Sequence, residues 1–88
     1  MEITNIQVIK LKGKGKLIGV ANIVIENYIL LKGIRIIDGE RGRFIAMPSR
    51  LDNRSRKPKY REYFHPINQE ARDILTNNIL EAYDNLEK

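Results

Sequence analysis

Through the first half of the chain apolar residues alternate with polar ones or run together in β-branched blocks. Only near the end do they recur every three to four positions. Residues 3–11 predict an extended segment with Ile6 and Val8 on one face and Ile3, Ile9 and Leu11 on the other. Lys12-Gly13-Lys14-Gly15-Lys16 then reads as a turn, because the glycines accept positive φ and the lysines stay in water. Residues 17–25 form a second β-branched run, and Glu26-Asn27 is the next turn. Residues 28–37 predict a long third strand, apolar on both faces apart from Lys32 and Arg35. Asp38-Gly39-Glu40-Arg41-Gly42 carries the clearest hairpin signal, Asp-Gly between two β-type runs, with the second Gly suited to a left-handed position in a longer loop. Residues 43–47 make a fourth strand, ended by Pro48. Connections this short force antiparallel pairing, since a parallel crossover needs about a dozen residues or more.

Residues 60–65 fit a short fifth strand, and Pro66 stops regular pairing. Asn68 suits a helix N-cap, with Glu70 in the first turn favourably placed against the helix dipole. Ala71, Ile74, Leu75, Asn78, Ile79, Ala82 and Leu86 then form one stripe, with Arg72, Asp73, Asn77, Glu81, Asp84 and Glu87 largely outside it. One such helix covers one face of a sheet. The other face needs a partner, and a homodimer is the simplest supply. The expected fold is therefore α+β: a four- to five-stranded, mainly antiparallel sheet over residues 1–48, a basic segment and connection over 49–67, and a C-terminal amphipathic helix over 68–88. All of it fits a single dimerising domain.

Composition sharpens this picture. A chain of 88 residues buries roughly 60–65% of its unfolded surface, so a partner subunit would add welcome stability. Without cysteine there are neither disulfides nor thiolate metal sites. Met1-Glu2-Ile3-Thr4 lacks the basic leader and apolar run of a signal peptide, and no stretch approaches the ~20 apolar residues of a membrane span. The expected compartment is the cytoplasm, with no membrane partner.

The net charge of +5 is unevenly spread: residues 1–48 carry +4, residues 49–67 another +4, and residues 68–88 carry −3. Arg50, Arg54, Arg56, Lys57, Lys59 and Arg61 fall within twelve residues, with only Asp52 among them. Burying unpaired guanidinium and ammonium groups costs several kcal/mol each, so this stretch lies in water and attracts polyanions. Tyr60 and Tyr63 at its far end add rings on which bases can stack. The competing reading, a solvated loop that keeps the protein soluble, has equal weight from composition alone. Lys12, Lys14 and Lys16 offer a secondary contact if their turn faces the same way.

Enzyme chemistry finds little support. His65, the single histidine, sits between Phe64 and Pro66 and reads as structural. Gly13-Lys14-Gly15-Lys16 lacks the spacing of a phosphate loop and no helix follows it. Asp38 and Glu40 belong to a turn, which accounts for them without catalysis. Metal ligands are too few for a dedicated site. The expectation is a protein without catalytic residues, metal, cofactor or small-molecule substrate.

Arg35-Ile36-Ile37-Asp38-Gly39-Glu40-Arg41-Gly42-Arg43-Phe44-Ile45-Ala46-Met47-Pro48-Ser49 resembles the most characteristic stretch of the stage V sporulation protein G family, the bacterial septation and sporulation regulators. His65-Pro66-Ile67-Asn68 and the opening Met1-Glu2-Ile3-Thr4-Asn5-Ile6 are also similar to that family's, so the likeness covers nearly the whole chain. The resemblance implies a small dimeric α+β protein that binds DNA, and RNA in some members, to regulate gene expression. It associates binding with the cations after Met-Pro-Ser, a role that falls by position on Arg50. Leu51 departs from the pattern, standing where the family often has a second basic residue, and the segment up to His65 is longer and more basic than usual.

The expected function is thus a dimeric, site-preferring DNA-binding regulator, with RNA as a further partner. Its contacts would come from Arg50, Arg54, Arg56, Lys57, Lys59 and Arg61. Arginines pair bidentately with phosphates and read guanine edges, whereas lysines act as point charges. The alternative is a protein–protein interaction module in cell division or sporulation that engages partners through an apolar sheet face, its cations only steering encounter.

Overall fold

Connections of two to six residues join the main strands, so each pairs with its sequence neighbour. In a computed structural model, which describes residues 2–13, 15–54 and 56–86, β1 (Ile3–Lys10), β2 (Leu17–Ile25), β3 (Ile29–Gly39) and β4 (Gly42–Ala46) form one antiparallel sheet in the order β1-β2-β3-β4. Glu26 and Asn27 both have positive φ, 51° and 60°, and Tyr28 N–H donates to the Ile25 carbonyl at 2.9 Å, as in a type I′ hairpin turn. At the other hairpin Gly39 pairs with Gly42. The turn is therefore tighter than the sequence suggests: Glu40-Arg41 makes it, and Asp38 is still within the ladder opposite Arg43. The third strand accordingly runs two residues further than expected.

Alternation along β1 breaks once. A register shift between Ile3 and Asn5 brings Ile3 to the same side as Ile6 and Val8, where all three pack on the core. A bulge inserts an extra residue and so reverses the facing of everything before it, which simple period-two counting misses.

After a short second sheet, described below, comes α1 (Gln69–Leu86). Asn68 caps it as expected: its Oδ1 accepts from Ala71 N–H at 2.8 Å. The helix lies across one face of the sheet, against β1 and β4. Leu75, Ile79 and Tyr83, spaced four apart, meet Ala21, Ile23, Ile34, Ile36, Ile45 and Met47 to form the core. Three helix expectations need correction. Leu86 is 51% exposed and Asn78 is exposed, its amide turned back onto the Ile74 carbonyl at 2.7 Å, while Tyr83, outside the expected stripe, is buried. Tyr83 can enter because Gly19 leaves room: a Cβ there would lie 3.3 Å from its ring. Lys10 and Arg43 then hold the ring from the two edge strands, at 5.2 and 4.8 Å from its centroid, a cation–π arrangement. Arg43 also donates to Asp84 at 2.6 Å, fastening the end of the helix to β4.

Among the described residues no helix or further sheet layer packs across the opposite face. Cross-strand rows Ile9–Val20–Arg35–Ala46 and Leu17–Ile37–Phe44 run over it, and Ile9, Leu17, Leu30 and Phe44 are each exposed. No helix among the described residues is long and apolar enough to cross a membrane.

Candidate nucleic-acid interface

The cationic segment folds as a ribbon. β5 (Ser49–Asp52) pairs antiparallel with β6 (Lys59–Glu62) in a separate two-stranded sheet. The fifth strand expected at 60–65 is therefore shorter, starts one residue earlier, and pairs with a strand that the sequence did not announce. It does not join the main sheet, because its partner edge is supplied by β5.

Pairing in the ribbon is Ser49–Glu62, Arg50–Arg61, Leu51–Tyr60 and Asp52–Lys59. Side chains alternate across a strand, so Arg50, Asp52, Lys59 and Arg61 share one face, and Ser49, Leu51, Tyr60 and Glu62 the other. Leu51 now has an explanation. A residue at 51 points away from the Arg50 face, and here it pairs with an aromatic ring instead of adding charge.

Arg50 and Arg61 sit directly opposite each other, a like-charge pair that disfavours the ribbon. Asp52 compensates. Its carboxylate meets Arg61 Nε at 2.8 Å and Arg54 Nε at 3.1 Å, and it accepts the Arg54 backbone N–H at 3.0 Å. Hydrogen bonds from the Arg54 side chain, then its N–H, then the charge of Arg61 hold the Asp52 carboxyl below the ordinary value of 3.8. Both guanidiniums stay in water: the Arg54 side chain is 90% exposed and Arg61 64%, against 15% for Asp52. One carboxylate shared by two arginines leaves the face strongly positive. Arg50, Arg56 and Lys59 are exposed and have no ion pair with the described residues.

A depressed carboxylate stabilises the folded ribbon above its unfolded value near 3.8, and that contribution is lost as pH falls through the lower folded value. Amide exchange protection of Leu51 and Tyr60 should therefore hold at pH 5 and fall well below pH 4, with the main sheet still protected. Asp52→Asn should weaken protection in the ribbon already at pH 7 and remove this acid transition. An unchanged transition in that variant would assign it to another group.

The ribbon is tied to the sheet at its base. Arg35 Nη2 donates to the Met47 carbonyl at 3.2 Å and to Ser49 Oγ at 3.4 Å, and Tyr63 N–H donates to the Pro48 carbonyl at 3.1 Å. The chain enters the ribbon level with Gly33, whose φ of +87° suits glycine and whose position faces Pro48. The remaining expected contacts are placed elsewhere. Lys16 lies beside the β3–β4 turn, its carbonyl accepting from Asp38 N–H at 2.8 Å. Lys12 belongs to the same β1–β2 connection, at the end of the sheet where β4 begins rather than where it leads into the ribbon. Lys14 lies outside the described residues, as do Glu87 and Lys88 at the end of the expected helix. Arg50, Arg54, Lys59 and Arg61 are thus brought together, and the lysine turn is not brought to them. Arg35, set among apolar strand positions in the sequence, is the polar member of the site that pattern reasoning passes over.

The family model SpoVG matches residues 1–85. This chain belongs to the SpoVG family. Relatives carrying the name "Putative septation protein SpoVG" include one from Aster yellows witches'-broom phytoplasma, 45% identical over 98% of this chain and 84% of its own length. Another, from Lachnospira eligens, is 42% identical over 99% of this chain and 96% of its own. A third, from Archaeoglobus fulgidus, is 35% identical over 98% of both. The similarity of SpoVG relatives runs through sheet, ribbon and helix alike, so the ribbon lies within the family's shared extent.

Proposed function

We propose that this SpoVG-family protein is a nucleic-acid-binding regulator that acts in the cytoplasm as a homodimer, binding DNA at preferred sites and RNA as well. The observation that carries the reading is the Arg50–Arg61 pair. Two guanidiniums face each other across a ribbon at an energetic disadvantage, a cost that an anionic ligand offsets. Arg50, Arg54 and Arg61 would grip phosphates and base edges, and Arg56, Lys57 and Lys59 would add charge near the ribbon's tip.

Dimerisation rests on the open sheet face. Ile9, Leu17 and Phe44 are exposed there, at the end of the sheet away from the ribbon, and a two-fold copy over that end would cover them while holding two ribbons at a fixed separation and leaving the Arg35 side open. The same face is what favours the second reading, a protein–protein interaction module in septation or sporulation whose cations only steer encounter. Neither reading assigns catalysis.

Fluorescence anisotropy with a labelled 20-base-pair duplex across a salt series separates the two. If two ribbons together neutralise on the order of eight phosphates, log K falls against log salt with a slope of about −7. An affinity near the millimolar range with no salt slope would leave the interaction module as the surviving reading.

A further inference from the structure

Beneath the ribbon, on the side away from the Arg50 face, lies a cleft of about 540 Å³ lined by Gly33, Arg35, Pro48, Ser49, Tyr60 and Tyr63. Its size falls within the usual range for small-molecule sites. Two of its walls are aromatic rings left largely in water, Tyr60 at 75% and Tyr63 at 61% exposure. Tyr63 is buttressed: its ring meets Phe64 edge-on, with centroids 6.1 Å apart and planes at 74°, and Phe64 packs on the core. Tyr60 is fixed by its strand, opposite Leu51.

The third feature is Arg35. It is half-buried, yet it has no carboxylate partner among the described residues. Both hydrogen bonds it makes leave from Nη2, so the donors on Nε and Nη1 remain for another acceptor. A partly desolvated cation without a counter-charge beside two exposed rings suits a flat, polar-edged aromatic ligand.

We propose that this cleft takes an unpaired nucleobase, stacked on Tyr60 or Tyr63 with its carbonyl edge or adjoining phosphate on Arg35, so that single strands bind more tightly than duplex. The inference rests on the nucleic-acid reading above and extends it. The ribbon has a cationic face for the backbone and, on its other face, the Tyr60 ring above the Arg35 cleft for a base, with Tyr63 just past the end of the strand. A single strand can wrap the ribbon and use both. A duplex keeps its bases stacked inside and reaches only the cations.

The test compares a fluorescein-labelled 12-nucleotide single strand with the same sequence as duplex, at one salt concentration. Wild-type protein is expected to favour the single strand by roughly 5- to 150-fold, the range of one base–aromatic stack. The double variant Tyr60→Ala/Tyr63→Ala is expected to lose that preference while its duplex affinity changes less than twofold. Tyr60→Phe/Tyr63→Phe, which keeps the rings, should retain it. The chain has four tyrosines and no tryptophan, so quenching of tyrosine emission by the single strand and not by the duplex gives an independent readout. Equal wild-type affinity for both forms, or equal losses for both in the alanine variant with an unchanged melting temperature, would overturn the cleft assignment while the ribbon reading stood. Failure to bind either form would remove both.

Discussion

Ile79→Ala lowers the unfolding free energy by roughly 2–5 kcal/mol, the cost of cutting a buried isoleucine back to a methyl and leaving a cavity. Ile79 has no exposed surface and stands midway between Leu75 and Tyr83 on the single helix that covers the sheet. A domain of this size has only about 4–13 kcal/mol in total, so a large share of its stability goes with that one side chain. Urea titration followed by circular dichroism reads the effect. Leu86→Ala is the control, because Leu86 lies half in water beyond the sheet and should cost about 0.5 kcal/mol or less. Equal shifts for the two variants would mean that the helix does not seat on the sheet through Ile79.

Removing Arg50, Arg54, Lys59 and Arg61 together by alanine substitution should abolish most nucleic-acid affinity without unfolding the main sheet. Each cation contributes to counterion release, and the slope of log K against log salt should shrink from about −7 to about −4 or less, Arg56 and Lys57 remaining. Affinity near physiological salt should fall by roughly a hundredfold or more. The ribbon makes no part of the core, so the midpoint of thermal unfolding should move little. Alanine at Lys12 and Lys16, which sit apart from the ribbon, should change affinity by less than threefold. The reverse ranking of these two variants would place the anion site on the lysine turn.

Much of this architecture can be read from the chain, for identifiable reasons. β2, β3 and β4 declare themselves because β-branched runs are closed by short polar turns, and Asn68 announces the helix because its cap is local chemistry. β5 stays hidden. Arg50 and Asp52 on one side and Ser49 with a lone Leu51 on the other make too little alternation to announce a strand, and its pairing is helped by the Asp52 carboxylate, which meets Arg61 across the ribbon. Tyr83 is missed because its burial depends on Gly19 beneath it and on Lys10 and Arg43 from distant strands. Ile3 changes sides through a bulge that no alternation predicts. Among the candidate contacts the cluster was legible as composition, but its two-faced character was not. Only strand register separates Arg50 from Leu51 and places Tyr60 with Gly33 and Arg35 around one cleft.

Chemical-shift mapping by NMR during titration with a short DNA duplex tests the central claim most directly, because it reports where the nucleic acid sits. The largest perturbations are expected at Arg50, Asp52, Lys59 and Arg61, with their size falling as salt rises. Perturbations confined to Ile9, Val20 and Phe44 on the open sheet face, or to Lys12 and Lys16, with the ribbon unmoved, would contradict it.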